Sequence, residues 1–311
     1  QRTIPKLVTK VVSPVEEIRR VAINAVTHFV HPTISEVAKP CLDQFHQNLL
    51  GLVTKDKSVR VLVAACQAFT ALLESCSPTL RRYFKETFTV MTRLLAHEDN
   101  LVAYNAANWW CALMSADNPK KDWFASGNSS TLVRGALGNA LKSQLKGLVP
   151  MLLKGMAYSQ DELAAMGTDE KDAHVPDRQQ DVFPRHACSE RKGFTAKSME
   201  STQDQGDPQW SLRKSCAQSL DNLSHIVGAD LLPVLLPLIN KLLNHEDWSR
   251  RESAILALGA VAGGCSAGIE KNLEQIFTYL LNLSRDQRAL IRRIACWTLS
   301  RYAEYFIKAD D

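Results

Sequence analysis

The 311 residues predict an all-α chain, a right-handed α-solenoid, and three observations carry that prediction. Apolar residues recur at the three- and four-residue steps of helices throughout, while alternating runs bounded by Asn-Gly or Asp-Gly are nearly absent. One helix start recurs: Ile291-Arg292 is matched by Ile18-Arg19, Val59-Arg60, Val102-Ala103, Leu212-Arg213 and Arg250-Arg251, at steps of 41, 43, 110, 38 and 41 residues. Ala103 replaces the arginine in one copy and Arg250 the apolar residue in another. Before each of these helices stands another apolar helix, so the unit that repeats is a helix pair. Period and content are those of HEAT or armadillo repeats, and HEAT is the prediction. Such pairs bury their apolar faces only by stacking.

Taken in order, the first helices of six pairs are TIPKLVTKVV, TISEVAKPCLDQFHQNLLGLV, SPTLRRYFKETFTVMTRLLA, LKSQLKGLVPMLLKGM, ADLLPVLLPLINKLL and AGIEKNLEQIFTYLLNL. The turns of two pairs repeat their letters, His97-Glu98-Asp99 and His245-Glu246-Asp247. The second helices are expected to line the concave side of the superhelix. The last of them, RALIRRIACWTLSRYAEYF over 288–306, is the template. Ile291, Ala295, Thr298, Leu299 and Tyr302 form its buried stripe, and Ile294, Trp297 and Arg301 fall on a second face about 80° round.

Two stretches leave the period. Residues 116–139, rich in Gly, Ser and Asn, predict an irregular insertion in a first HEAT segment, 1–158. Residues 159–209 carry acidic residues, prolines and little apolar periodicity, and predict a polar internal loop between the helices of the fourth pair. A second HEAT segment follows at 210–311. Lys and Arg against Asp and Glu give +8, −5 and +1 in 1–158, 159–209 and 210–311, within a net +4.

Hydrophobic content of 45% with 23% charged residues is that of an ordinary soluble protein. No run of eighteen apolar residues suggests a membrane span. The eight cysteines stand singly without a Cys-x-x-Cys spacing, as reduced thiols of an intracellular protein do. The chain starts at Gln1 inside an apolar helical pattern, as a piece of a longer protein would.

Sequence forms with chemical meaning are few. Gly264-Cys265-Ser266-Ala267-Gly268 has the G-x-S-x-G form of a hydrolase elbow, but that needs a strand running into a helix, and the flanks here are helical. Gly263 and Gly268 have the spacing of a phosphate-binding loop, with Ile269 where its lysine should stand. His97 and His245 read as solvated turns beside capping acids rather than metal ligands. The arginines at the helix starts read as partners of Asp56, Asp247, Asp286 or neighbouring turns. They lack the interleaved aromatics of a nucleic-acid stripe. No enzyme, cofactor, metal site, nucleic acid or membrane partner is expected.

What remains is the second face. Positions equivalent to Trp297 in the two preceding repeats are Leu256 and Gln218, and Asp221 and Arg301 lie one turn on. An aromatic and aliphatic centre flanked by both charges suits an extended peptide. The residues alone also allow Trp297 to pack merely against a following repeat, and they allow a HEAT scaffold of a multiprotein complex. A scaffold needs no such column.

The segment DPQWSLRKSCAQSLDNLSHIVGADLLPVLLPLINKLLNHEDWSRRESAILALGAVAGGC, followed by RALIRRIACWTLSRYAEYF, resembles the importin-β2, or transportin, branch of the karyopherin-β nuclear transport receptors. The resemblance is dense over 207–306 and collinear over 3–158, and VPDRQQDVFPRH at 175–186 resembles part of that family's internal loop. It implies a piece of a nuclear import receptor that shuttles between cytoplasm and nucleus, meets nucleoporins, binds the nuclear localisation signals of cargo and releases them to Ran-GTP. It also implies that the proline-tyrosine end of the signal sits among Asp221, Leu256, Ile294, Trp297 and Arg301, with Gln218 where the family has alanine. The loop here is shorter and less acidic than the family's, and the 116–139 insertion is longer.

Overall fold

The computed structural model describes residues 3–30, 35–74, 82–115, 137–166, 211–303 and 305, and every regular element among them is helical. The chain divides into two compact units, 1–152 and 153–311. In the first, α1 (Thr3–Lys10) pairs with α2 (Glu16–His28), α3 (Ser35–Val53) with α4 (Val59–Glu74), and α5 (Phe84–Leu95) with α6 (Asn100–Met114). The second helices α2, α4 and α6 pack in one row, and α1, α3 and α5 in another. Helix α7 (Leu145–Met156) runs across the division, and α8 (Gln160–Met166) follows it.

In the second unit α9 (Leu212–Val227), α11 (Trp248–Ala260) and α13 (Ala289–Arg301) form the row of second helices, with α10 (Leu232–Leu243) paired to α11 and α12 (Leu273–Leu283) to α13. Row formation follows from the apolar stripes: Ile291, Ala295, Thr298 and Tyr302 of α13 are all buried, as their spacing predicts. In the first unit the core is aromatic. Phe88, Trp109 and Trp110 are buried, their ring centroids 4.9 Å apart for Phe88 and Trp110 and 5.0 Å for the two indoles.

The turns are held by their own sequence. Asp56, Asp99, Asp247 and Asp286 each accept a backbone N–H two residues on, at 2.8–2.9 Å, and so satisfy donors that a helix start leaves unpaired. In the His-Glu-Asp turns the imidazole Nδ1 of His97 and of His245 accepts the N–H of the aspartate two residues later, at 3.0 Å. Arginines complete the turns. Nη1 of Arg19, Arg251 and Arg292 each donates to the two carbonyls five and six residues upstream, at 2.8–3.0 Å. The recurring arginine is thus a turn staple, and Arg19 also reaches Asp56 of the next pair at 2.7 Å. Asp286 serves Arg292 through its backbone carbonyl rather than its carboxylate.

Three expectations need adjusting. The polar stretch from 159 opens with helix α8, because Ser159 and Glu162 cap each other: the Glu162 carboxylate accepts Ser159 N–H at 2.8 Å and Ser159 Oγ accepts Glu162 N–H at 3.2 Å. Serine followed three residues later by glutamate is a capping box, a signal the acidic composition hid. Residues 167–209, like 116–136 of the other insertion, lie outside the described residues. Secondly, Arg213 differs from the other arginines. It forms a buried pair with Glu252 at 2.6 Å, donates to Met156 O, and lies 4.1 Å over the Tyr158 ring. Lastly, residues 212–243 together are 32 residues long and apolar enough to cross a membrane. Gly228, at φ 60°, breaks them into helices of 16 and 12 residues. Each is short of the roughly 20 residues a span needs.

Candidate functional site

The expected site residues all fall on α9, α11 and α13, and the row divides them into two groups. Leu256 and Ile294 are 0% and 1% exposed. Helix α11 packs against both α9 and α13, so an apolar side chain on its facing column is covered rather than presented. Gln218, Asp221 and Trp297 are half-buried and Arg301 is exposed. The equivalence of Gln218, Leu256 and Trp297 down the column therefore does not give three equal positions on a groove.

Trp297 is seated on a glycine. A methyl group placed on Gly259 of α11 would stand 2.2 Å from Trp297 Cζ3 and 2.9 Å from Cε3, so the indole lies against backbone that no other residue type would leave open. One turn on, Arg301 donates from Nε to the Gly259 carbonyl at 3.3 Å, and its guanidinium carbon is 5.9 Å from the Trp297 ring centroid. Arg301 Nη2 stands 3.5 Å from Asp221 Oδ1. Gln218 Nε2 donates to Asp221 Oδ2 at 3.4 Å and to Asn222 Oδ1 at 3.1 Å. Asp221 Oδ1 itself is buried and accepts no hydrogen bond, an acceptor without a donor beside the Arg301 guanidinium.

The far end of α13 fixes this geometry. Thr298 donates to Ile255 O at 3.0 Å, Tyr302 to Leu258 O at 2.9 Å and Tyr305 to Ala262 O at 3.3 Å, alongside Arg301 on Gly259 O. Side chains at i, i+3, i+4 and i+7 thus stitch α13 and the turn after it to carbonyls in the C-terminal half of α11 and the turn that follows. Burial pushes the Tyr302 hydroxyl well above the usual tyrosine range, so it is a neutral donor.

Three residues of the cluster escaped the sequence reading. Gly259 and Gly263 share a stripe with Leu256, at steps of three and four, and that spacing was the available signal. His225, one turn after Asp221, brings Nε2 to 3.5 Å from Asp221 Oδ1. A methyl on Gly263 would stand 3.0 Å from His225 Cε1 and 3.8 Å from Arg301 Nη2. Gly264 of the G-x-S-x-G form packs on α9: a methyl there would stand 2.3 Å from the Ser224 carbonyl carbon. Ser266 opens the short helix Ser266–Ile269, not a strand-to-helix turn. Together, the half-buried indole, the guanidinium and the half-buried carboxylate suit a flat side chain that ends in a hydrogen-bond donor.

A family model described as a HEAT-like repeat matches residues 248–302, the helices that carry most of this cluster. The fold thus defines a helical-repeat protein of the HEAT kind. Transportin-1 of Oryza sativa subsp. japonica is 36% identical over 218 residues, covering 68% of this chain and 22% of its own length. Transportin-1 of Mus musculus is 32% identical over 277 residues, 86% of this chain and 29% of its own. Importin subunit beta-2 of Schizosaccharomyces pombe is 30% identical over 289 residues, 85% and 30%. The crystal structure of importin beta in an ammonium sulfate condition shares the fold, with TM-score 0.71 and 18% identity over 97% of this chain and 30% of that one. So does Kap95p in a structure with RanGDP, with TM-score 0.66 and 16% identity over 97% and 30%. The chain belongs to the karyopherin-β family, in its transportin branch. It spans less than a third of the length of these relatives, at 22%, 29% and 30%.

Proposed function

We propose that this chain carries the cargo-signal site of a nuclear import receptor. It binds extended nuclear localisation signals of the proline-tyrosine type at Trp297, Arg301, Asp221 and Gln218, with Leu256 and Ile294 supporting the column from beneath. Ran-GTP releases the signal, nucleoporins are further partners, and the protein shuttles between cytoplasm and nucleus. It acts by binding rather than by catalysis.

The observation that carries this reading is the half-buried Trp297 indole seated on Gly259 beside Arg301, which also faces the unpartnered carboxylate oxygen of Asp221. A tyrosine ring would lie on the indole, its hydroxyl would donate to Asp221, and the preceding proline would hold the peptide extended. The transportin and importin relatives, and the RanGDP named with Kap95p, support the transport class. Fluorescence anisotropy with a labelled basic peptide ending in Pro-Tyr tests it. Saturable binding, lost when alanine replaces the tyrosine and lowered by Ran-GTP, is expected. Equal binding of the alanine-ended peptide would sink the site, and binding indifferent to Ran-GTP would remove the release step.

A further inference from the structure

We propose that His225 is a further specificity-determining residue of this site, competing for Asp221 with the hydrogen-bond donor of the ligand. The inference rests on the cargo-signal reading above and adds a residue to it.

The geometry is a contest over one oxygen. Asp221 Oδ1 accepts no hydrogen bond, and two nitrogens stand 3.5 Å from it: Nη2 of Arg301 from α13 and Nε2 of His225 from the next turn of α9. Both are just beyond hydrogen-bonding distance, so a small movement of either closes on the carboxylate. The His225 side chain is 56% exposed and has room to make that movement. The charged groups facing it are Asp221 on its own helix and Arg301 opposite, while the turn after α11 presents Gly263 and Gly264. No side chain from that turn separates the imidazole from the site.

A neutral imidazole leaves Arg301 as the cation beside Asp221, and the carboxylate accepts a ligand hydroxyl without a charged donor being displaced. An imidazolium gives the carboxylate a second cation and a charge-assisted donor, which the ligand must displace. Affinity therefore falls as His225 takes up its proton.

Anisotropy with the Pro-Tyr-ended peptide, from pH 8.0 to 5.5, compares the wild type with His225→Asn, which retains a polar group that does not titrate. Each protein's affinity at pH 7.5 is its own reference. At pH 5.5 the wild type should weaken by about fivefold and His225→Asn by less than about twofold, the scale of one partly exposed ion pair. A double variant, Asp221→Asn with His225→Asn, should match Asp221→Asn alone at both pH values. Parallel pH profiles of wild type and His225→Asn overturn the role of His225 while leaving the cargo site standing. No tyrosine-dependent binding at any pH overturns the cargo reading and this inference with it.

Discussion

At the scale of single residues, the site depends on what a side chain rests on as much as on what it offers. Trp297 presents one face of its indole because Gly259 receives the other. Truncation to Trp297→Ala removes the central aromatic anchor and should weaken Pro-Tyr peptide binding roughly 30-fold, about 2 kcal/mol at 1.4 kcal/mol per factor of ten. Arg301→Ala, at the rim, should cost less. Gly259→Ala tests the seat. Its methyl has no space beside Cζ3, so the indole must move, and peptide affinity should fall while Trp297 remains present. Unchanged affinity in Gly259→Ala would show that the seat does not position the indole.

His46 gives the residue scale a pH dependence. Burial holds its imidazole down to about 4 from 6.5, with Asp43 opposing the shift. Thr87 donates its hydroxyl to Tyr83 O at 2.8 Å, so at 2.9 Å it accepts from His46 Nε2–H, and Nδ1 is left buried without a partner. Between pH 6.5 and 4 the unfolded chain binds this proton and the folded one does not, so stability falls as pH drops through that window. The loss approaches about 3 kcal/mol at about 1.4 kcal/mol per pH unit. Denaturant melts at pH 7 and 4.5 should show it, and His46→Gln should flatten the difference.

At the scale of the element, the helix pair is defined by its turn. In four pairs an aspartate of the turn accepts a backbone N–H at the start of the second helix, and in three pairs an arginine near that start reaches back to two carbonyls of the turn. Arg251→Ala should cost about 1.5–3 kcal/mol, the range for hydrogen bonds to a charged group. Arg250→Ala should cost less than about 0.5 kcal/mol, because Arg250 is exposed and stands 3.8 Å from Asp247. Equal effects in urea melts would remove the staple as an explanation for the recurring arginine.

For the whole molecule, stacked repeats make stability a sum of neighbour terms rather than one global core. The buried Arg213–Glu252 pair belongs to the second unit, where both side chains are at most 3% exposed. Glu252→Ala leaves the guanidinium buried without its carboxylate and should cost about 3–5 kcal/mol. Hydrogen exchange should locate that loss. Amides of α9, α11 and α13 are expected to speed up by far more than those of α2 and α4, and uniform acceleration along the chain would contradict the neighbour picture.

The sequence by itself determined the helix pairs, their period and the two departures from it, because apolar spacing, capping acids and staple arginines are all local within a pair. It also placed the candidate residues Trp297, Arg301 and Asp221 on their helices, since they stand at fixed places in the repeat. It missed α8, whose Ser159–Glu162 cap lay in a stretch judged by its composition. Only the tertiary structure decided which site residues meet solvent. Leu256 and Ile294 are apolar and on the right column, but packing on both sides of α11 covers Leu256, which no single-helix pattern records. Nor does one helix's sequence tell that Gly259 is a seat for Trp297, or that His225 and Arg301 converge on one oxygen of Asp221. Those facts arise between helices about 40 to 80 residues apart, where register and close backbone approach, rather than composition, set which atoms touch.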